Sequence, residues 1–304
     1  VHHKFEYLPR AHCICGALVT DDSAQITCRD GHTQFMPCRN CGSYIQSPII
    51  SGTSAKHWYN SAAYHGSAHE TDSIYLKYSS GEASRRSETR YRYKTDIAPR
   101  LKKNTPANIL EVGAATGSLL SVCREHGHQV TGLDLSDPFI QQAKEQNNIH
   151  IDKMDFLDYP SAPETFDMII MLGTISNLHN LDQHLNKAHN ILTPSGLLYF
   201  NLPVANSAIA TLYGRHYWMF TPSVAQFMSR AGYRTLLKNH DFTILSEALD
   251  RQKPSYAKLL GHTGLRPLYR ILKALRMESK SIPISVPIPG IIRVVAQKES
   301  RTLD

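Results

Sequence analysis

The sequence lacks any apolar run of the roughly 18 residues that a membrane-spanning helix needs, across all 304 residues. Its start, Val1-His2-His3-Lys4, has neither Met nor the apolar run of a signal peptide, so a cytoplasmic setting is expected. Internal repeats and low-complexity tracts are missing. Charged residues make up only 19%, while 41% of residues are hydrophobic, enough for a buried core and against wholesale disorder. The length suits roughly two domains. In a cytoplasmic setting thiols stay reduced, so the six cysteines point to metal rather than disulfides.

The net charge of +7 is uneven. Residues 85–103 hold eight Lys/Arg against Glu88 and Asp96, and residues 251–304 hold eleven against Glu278, Glu299 and Asp304. The rest of the chain is therefore acidic, at −7. A single basic surface would indicate nucleic acid. Two basic segments on an acidic body suit a phosphorylated substrate, an anionic membrane surface or RNA, or are solvated helix faces.

From residue 106 short apolar runs alternate with amphipathic ones. Strands are expected at 108–112, 129–134, 149–153, 166–171 and 196–202, and helices at 119–126, 139–147 and 181–192. This alternation implies a parallel sheet covered on both faces. Ser136-Asp137-Pro138 reads as a helix start, and Pro194-Ser195-Gly196 as a turn feeding the fifth strand. A helix is expected at 222–231, stopped by Gly232, with late strands near 234–245 and 291–296.

The first strand runs into Glu111-Val112-Gly113-Ala114-Ala115-Thr116-Gly117. Its spacing is not the Gly-x-Gly-x-x-Gly of a pyrophosphate site, which weakens a dinucleotide reading. The second strand ends at Asp134, where a carboxylate can accept both hydroxyls of a ribose. Asp155 and Phe156 follow the third strand and could meet an adenine amino group and its ring face. Surface or capping roles for these acids are the alternatives.

With Gly132-Leu133-Asp134-Leu135-Ser136, Phe166-Asp167-Met168-Ile169-Ile170 and Leu192-Thr193-Pro194-Ser195-Gly196, these motifs occur in an order that resembles the class I S-adenosylmethionine-dependent methyltransferases, over about residues 106–205. The resemblance implies an α/β fold, Rossmann-like and doubly wound, with a mostly parallel seven-stranded sheet. It implies S-adenosylmethionine as cofactor. Glu111, Gly113, Ala114, Ala115 and Gly117 would surround its methionine part, Asp134 and Leu135 its ribose, Asp155 and Phe156 its adenine, and Leu172 would contribute backbone. Two departures stand out. Ala115 replaces a common glycine, and Ser176-Asn177 stand where many relatives carry Glu-His, so no base is supplied there.

Cys38-x-x-Cys41-Gly42 has zinc-knuckle spacing, whereas Cys13-x-Cys15 is irregular. Asp30-Gly31 is a hairpin signal that sets Cys28 opposite Thr33, roughly 17 Å from Cys38 at about 3.3 Å per residue. The expected structural zinc set is therefore Cys13, Cys15, Cys38 and Cys41, with His12 as substitute for Cys13. A rival set of Cys15, Cys28 and His32 resembles the zinc finger of a ribosomal-RNA guanine methyltransferase family, and metal-free thiols are the third option. Cys123 reads as a core residue.

The expected divisions are a zinc-ribbon-like segment at 1–54, a helical linker or lid at 55–105 and a cofactor domain at 106–304. A ribbon before Tyr-rich helices (Trp58-Tyr59-Asn60-Ser61-Ala62-Ala63-Tyr64) resembles a group of bacterial methyltransferases linked to sugar and surface-polysaccharide biosynthesis. That implies O-methylation of a small-molecule or glycan-type acceptor, phosphorylated or lipid-linked forms included. A hydroxyl acceptor gains about 10²–10⁴-fold from a base. His216, in a His-x-x-x-Phe-Thr-Pro segment similar to one in that group, is the candidate, ahead of His179 and of His184, read as facing solvent. The basic amphipathic stretch 267–280 suggests peripheral membrane contact or packing on the domain. Two other functions compete. One is an RNA methyltransferase in which Tyr91 and Tyr93, between Arg90, Arg92 and Lys94, stack on bases, although no Asn-Pro-Pro-Tyr-type motif follows the fourth strand. The other is a non-catalytic zinc-binding adaptor that retains the cofactor fold.

Overall fold

A computed structural model describes residues 5–19, 25–28, 31–61, 64–65, 81–102, 105–217, 219–252 and 286–299. The basic stretch 267–280 and Trp218 lie outside them. The N-terminal part is built from very short strands. β1 (Tyr7–Leu8) joins a later strand, while β2 (Ile26–Thr27), β3 (Gln34–Pro37) and β4 (Tyr44–Gln46) form an antiparallel meander. Cys28 donates its amide to the Thr33 carbonyl at 2.8 Å, the pairing that the hairpin signal expects. β5 (Ile49–Ile50) pairs with β1.

Two helices follow: α1 (Gly52–Tyr59), capped by Ser51, and α2 (Gly81–Arg92). α2 runs on through a wide turn at Tyr93–Ile97 and a tight one at Ala98–Arg100. This stretch consumes much of the basic charge of 85–103 internally. Arg86 and Arg90 pair with Glu125, and Arg92 is buried with Glu88 on one side and Asp250 on the other. Tyr93 donates or accepts at His128 at 2.8 Å and stacks on His126. Arg92 and Tyr93 are therefore structural. They do not form the exposed base-stacking surface that the RNA reading requires.

The large sheet comprises β6 (Asn108–Val112), β7 (Gln129–Asp134), β8 (Asp152–Lys153), β9 (Phe166–Leu172), β10 (Leu192–Pro203), β12 (Phe242–Gln252) and β13 (Val286–Lys298). Its order is β12-β13-β10-β9-β6-β7-β8. Five strands from β8 to β10 run parallel, and β13 alone opposes its neighbours. This is the expected seven-stranded, mostly parallel sheet. Successive residues bury on opposite faces: Leu110, Ile169, Met171 and Phe200 in one cluster, Ile109, Met168, Ile170 and Tyr199 in the other. The faces are covered by α3 (Ser118–Glu125), α4 (Asp137–Asn147) and α5 (Leu181–Ile191). Cys123 is buried in the core as expected.

The region after β10 departs from expectation. A short helix α6 (Ala208–Tyr213) comes first. Residues 222–229 of the expected helix 222–231 are not helical: they contain β11 (Gln226–Phe227), which pairs with β4 and so becomes the fourth strand of the N-terminal meander. The next helix, α7 (Arg230–Asn239), occupies the place expected for a strand, and that strand, β12, starts only at Phe242. Gly232 does not stop a helix. It lies inside α7 because a Cβ there would come within 2.3 Å of Ser43 Oγ on the ribbon. Helix propensity was overruled by a close tertiary approach. The ribbon and the sheet domain therefore share one sheet across the expected boundary at residue 54.

Gly232→Ala tests this docking. Propensity alone would favour alanine by about 1 kcal/mol, but the clash should dominate and give a net loss of about 1–2 kcal/mol, read as a lower urea midpoint with unchanged slope.

Candidate functional site

The carboxyl ends of the parallel strands meet the ribbon across a cavity of about 1310 Å³. It opens beside the point where strand order reverses, between β6 and β9, which is where open α/β sheets bind ligands. Pockets for one small ligand run to about 300–1,000 Å³, so this cavity has room for two molecules side by side.

The loop after β6 is held in left-handed backbone. Gly113 has φ +75°, and a Cβ on it would strike Thr174 Oγ1 at 2.3 Å. Ala115 takes φ +47°, a conformation unusual for a residue with a side chain. It places the Ala115 amide 2.8 Å from Asp134 Oδ2. Asp134 Oδ1 accepts from the Ser136 amide, also at 2.8 Å. Burial pushes the Asp134 carboxyl up, and these two amides pull against it. Each oxygen keeps a lone pair for a ligand.

Asp155 accepts from the Leu157 amide at 2.9 Å, and His184 Nε2 stands 3.7 Å from the same oxygen. His184, standing beside it, holds the Asp155 carboxyl down at about 2. His184 is buried rather than solvent-facing, stacked on Phe156 and fixed to the Asn180 carbonyl at 3.1 Å. The spacing Leu181, His184, Leu185, Ala188 along α5 marks it as a core-face residue, a signal available from the sequence.

Gly113, Ala115, Asp134, Leu135, Asp155, Phe156 and Leu172 all line the cavity. Glu111, Ala114 and Gly117 do not. Glu111 is buried within β6, Ala114 packs in a side cluster, and Gly117, at φ +66°, gives Ile149 room. α1 closes the cavity from above. Asn60 donates to the Leu135 carbonyl at 2.9 Å and accepts from the Asp137 amide at 2.8 Å. Tyr59 lines the cavity, its hydroxyl pushed up by burial and by the charges of Asp134 and Asp155.

His216 is exposed in a short turn at Gly214–His216, 3.4 Å from Arg215 Nε, and is not a lining residue. His179 is, and burial together with Arg10 and His184 holds its imidazole below the usual range. Arg10 and Asn201, which carry no motif in the sequence, also line the cavity, as does Ser176 of the Ser176-Asn177 departure. Asn201 accepts the Gly173 amide at 2.6 Å and donates to buried Asp250 at 2.7 Å, which in turn takes two bonds from Arg92.

The four sulfurs of Cys13, Cys15, Cys38 and Cys41 lie within 4.8 Å of one another. The Cys13–Cys41 and Cys15–Cys38 separations are both 3.6 Å. A tetrahedral zinc with Zn–S of about 2.3 Å requires sulfurs about 3.8 Å apart, so the set fits. Gly16 and Gly42, at φ +82° and +73°, turn both knuckles back onto Cys13 and Cys38. His12 is not part of the cluster. It forms a bridge with Leu18, and its place in the set is taken by Cys13. Cys28 sits in a different apolar cluster, with Phe35 and Phe220, which separates it from the rival set.

Purified protein should carry one zinc per chain. Cys38→Ser should lower zinc content and thermal midpoint together; a metal-free wild type would refute the site.

A family model described as a methyltransferase domain matches residues 85–247, more than half of the chain. Malonyl-[acyl-carrier protein] O-methyltransferase of Pseudescherichia vulneris is 30% identical over 112 residues, covering 36% of this chain and 45% of that protein. Demethylmenaquinone methyltransferase of Chlorobaculum parvum is 26% identical over 162 residues, covering 52% and 65%. The matched region thus spans less than two thirds of either relative. Among solved structures, a SAM-dependent methyltransferase from Archaeoglobus fulgidus superposes with a TM-score of 0.50 at 16% identity, over 71% of this chain and 97% of that one, a likeness of fold. The chain belongs to the methyltransferase-domain family and has the fold of the class I S-adenosylmethionine-dependent methyltransferases.

Proposed function

We propose that the protein methylates an oxygen of a small-molecule acceptor, with S-adenosylmethionine in the half of the cavity that faces β6, β7 and β8. The observation that carries this reading is Asp134, pinned by the Ala115 and Ser136 amides at the end of β7 with lone pairs turned to a cavity that Asp155 shares. In this reading Asp134 holds the ribose hydroxyls. Asp155, kept ionised by His184, accepts from the adenine amino group. Gly113, Ala115 and the backbone of Leu172 border the methionine part. When bound, the cofactor supplies an electrophilic methyl group on a sulfonium sulfur. The chain's own work is then to align an acceptor oxygen with that methyl and to exclude water.

His179 is the residue we assign as base for a hydroxyl acceptor. It lines the cavity and burial lowers its pKa, which favours the neutral ring, whereas His216 lies outside. The zinc is structural, because four cysteines leave no open coordination position. The matched relatives act, by their names, on an acyl-carrier-protein-bound malonyl group and on a quinone. They lend support to a small-molecule acceptor and none to the glycan. No helix among the described residues is long and apolar enough to cross a membrane.

Asp134→Ala should weaken S-adenosylhomocysteine binding at least tenfold by calorimetry; unchanged affinity would remove the ribose assignment. His179→Gln should lower kcat about 10²-fold or more with little effect on cofactor affinity. In wild type the rate should rise with pH through the depressed His179 value, since only the neutral ring accepts a proton. An acidic limb that survives in His179→Gln assigns the base elsewhere.

A further inference from the structure

The ribbon does more than cap the fold: Glu6, Leu8, Arg10 and His12 form part of the cavity wall. Arg10 is the one of these with an unusual electrostatic position. Its guanidinium is fixed by the Ala225 carbonyl at 2.8 Å and Gln226 Oε1 at 3.1 Å, both neutral acceptors. Among the described residues no carboxylate stands within ion-pair distance; Cys13 and Asp182 act on it only from further away. A largely desolvated cation without a paired anion is costly unless a ligand supplies one. Gln226 also binds the Ile175 and Leu178 carbonyls, and Ala225 donates to the Ser176 carbonyl, so β11 joins Arg10 to the turn after β9. On that turn Ser176 is 5% exposed, lines the cavity, and its Oγ has no hydrogen-bond partner among the described residues. His179 follows three residues later on the same wall. The lining also has an apolar part, which includes Ile209, Met219, Val286, Ile288 and Ile291.

We propose that Arg10, Ser176 and His179 form a subsite for the oxyanion head of an amphiphilic acceptor, a carboxylate or phosphate, whose apolar body lies along the Ile209–Ile291 wall. The proposal rests on the methyltransferase reading for its purpose, because it fills the half of the cavity that the cofactor leaves. Arg10 and Ser176 donate to the head. A neutral His179 beside it donates through one ring nitrogen, or accepts a proton from a hydroxyl carried next to the head. Recognition of the acceptor is thus delegated to the ribbon, and the sheet domain binds the cofactor.

The test is calorimetric titration of the zinc-loaded full chain, saturated with S-adenosylhomocysteine, with octanoate, octyl phosphate and the uncharged octyl glucoside. The two anions should bind at least tenfold more tightly than the glucoside, and the tighter of them names the head group. Arg10→Gln should cost the anions tenfold or more, and Ser176→Ala several-fold, with S-adenosylhomocysteine affinity and zinc content unchanged. Equal binding of octyl glucoside, or undiminished anion binding in both variants, overturns the subsite. Loss of zinc in Arg10→Gln together with wild-type anion binding in Ser176→Ala would reassign Arg10 to balancing the thiolate charge, and overturns it as well. If wild type binds no S-adenosylhomocysteine, the methyltransferase reading fails, and the same titrations on the cofactor-free chain still decide the subsite.

Discussion

The two-residue strand β11 is the constraint on which the rest depends. It is inserted between β10 and α7 of the sheet domain, yet its hydrogen-bond partner is β4 of the ribbon. Around it several buried polar groups are paired across the two parts. Gln46 donates to the Pro222 and Val224 carbonyls at 3.1 Å and accepts the Ile50 amide at 2.7 Å. Ser229 caps α7 and donates to the Cys41 carbonyl, while its own amide binds Ser43 Oγ at 2.9 Å. These bonds are buried, so separating the two parts would strand several donors and acceptors at once, at about 1–3 kcal/mol for each left unpaired. The ribbon is thereby a rigid wall of the cavity, and the cysteine cluster sits next to the helix cap it helps to position.

A second buried network reaches the same cavity from behind. Tyr199 donates to Asp96 and accepts from Arg92, Arg293 pairs with Asp96, and Asp250 links Arg92 to Asn201. Asn201 then holds the Gly173 amide at the edge of the site. Arg86, Arg90 and Arg92, part of the basic run in the linear sequence, are instead paired with Glu125, Glu88 and Asp250 and fix α2 against the sheet domain. Buried pairs of this kind add little net stability, but removing one member is expensive, so they specify one arrangement.

In the proposed reading, the cofactor half and the acceptor half of the cavity are built differently. The first uses backbone: left-handed turns at Gly113 and Ala115, the second of which aims its amide at Asp134. Such a surface suits a ligand of constant shape. The second uses side chains from three separate places, Arg10 in the ribbon, Ser176 and His179 after β9, and the apolar residues of α6 and β13. That arrangement can change its specificity without disturbing the cofactor site.

Local patterning determined much of this protein. The strand–helix alternation gave the parallel sheet, because burial on both faces demands continuous apolar runs. Asp134 and Asp155 were legible because they end or follow strands at the ligand edge, and the cysteine set because a knuckle turn joins Cys38 to Cys41 and a hairpin sets Cys28 apart, the choice of Cys13 over His12 coming from the structure. What only the tertiary structure decided are the features set by contacts distant in sequence. Gly232 reads as a stop until Ser43 packs on it; residues 222–231 read as a helix until β4 offers an edge to pair with. His184 reads as exposed until Phe156 and Asp155 bury it. Arg10 carries no motif at all, and its position in the cavity wall comes from a strand some 215 residues away, a pairing that local propensity does not encode.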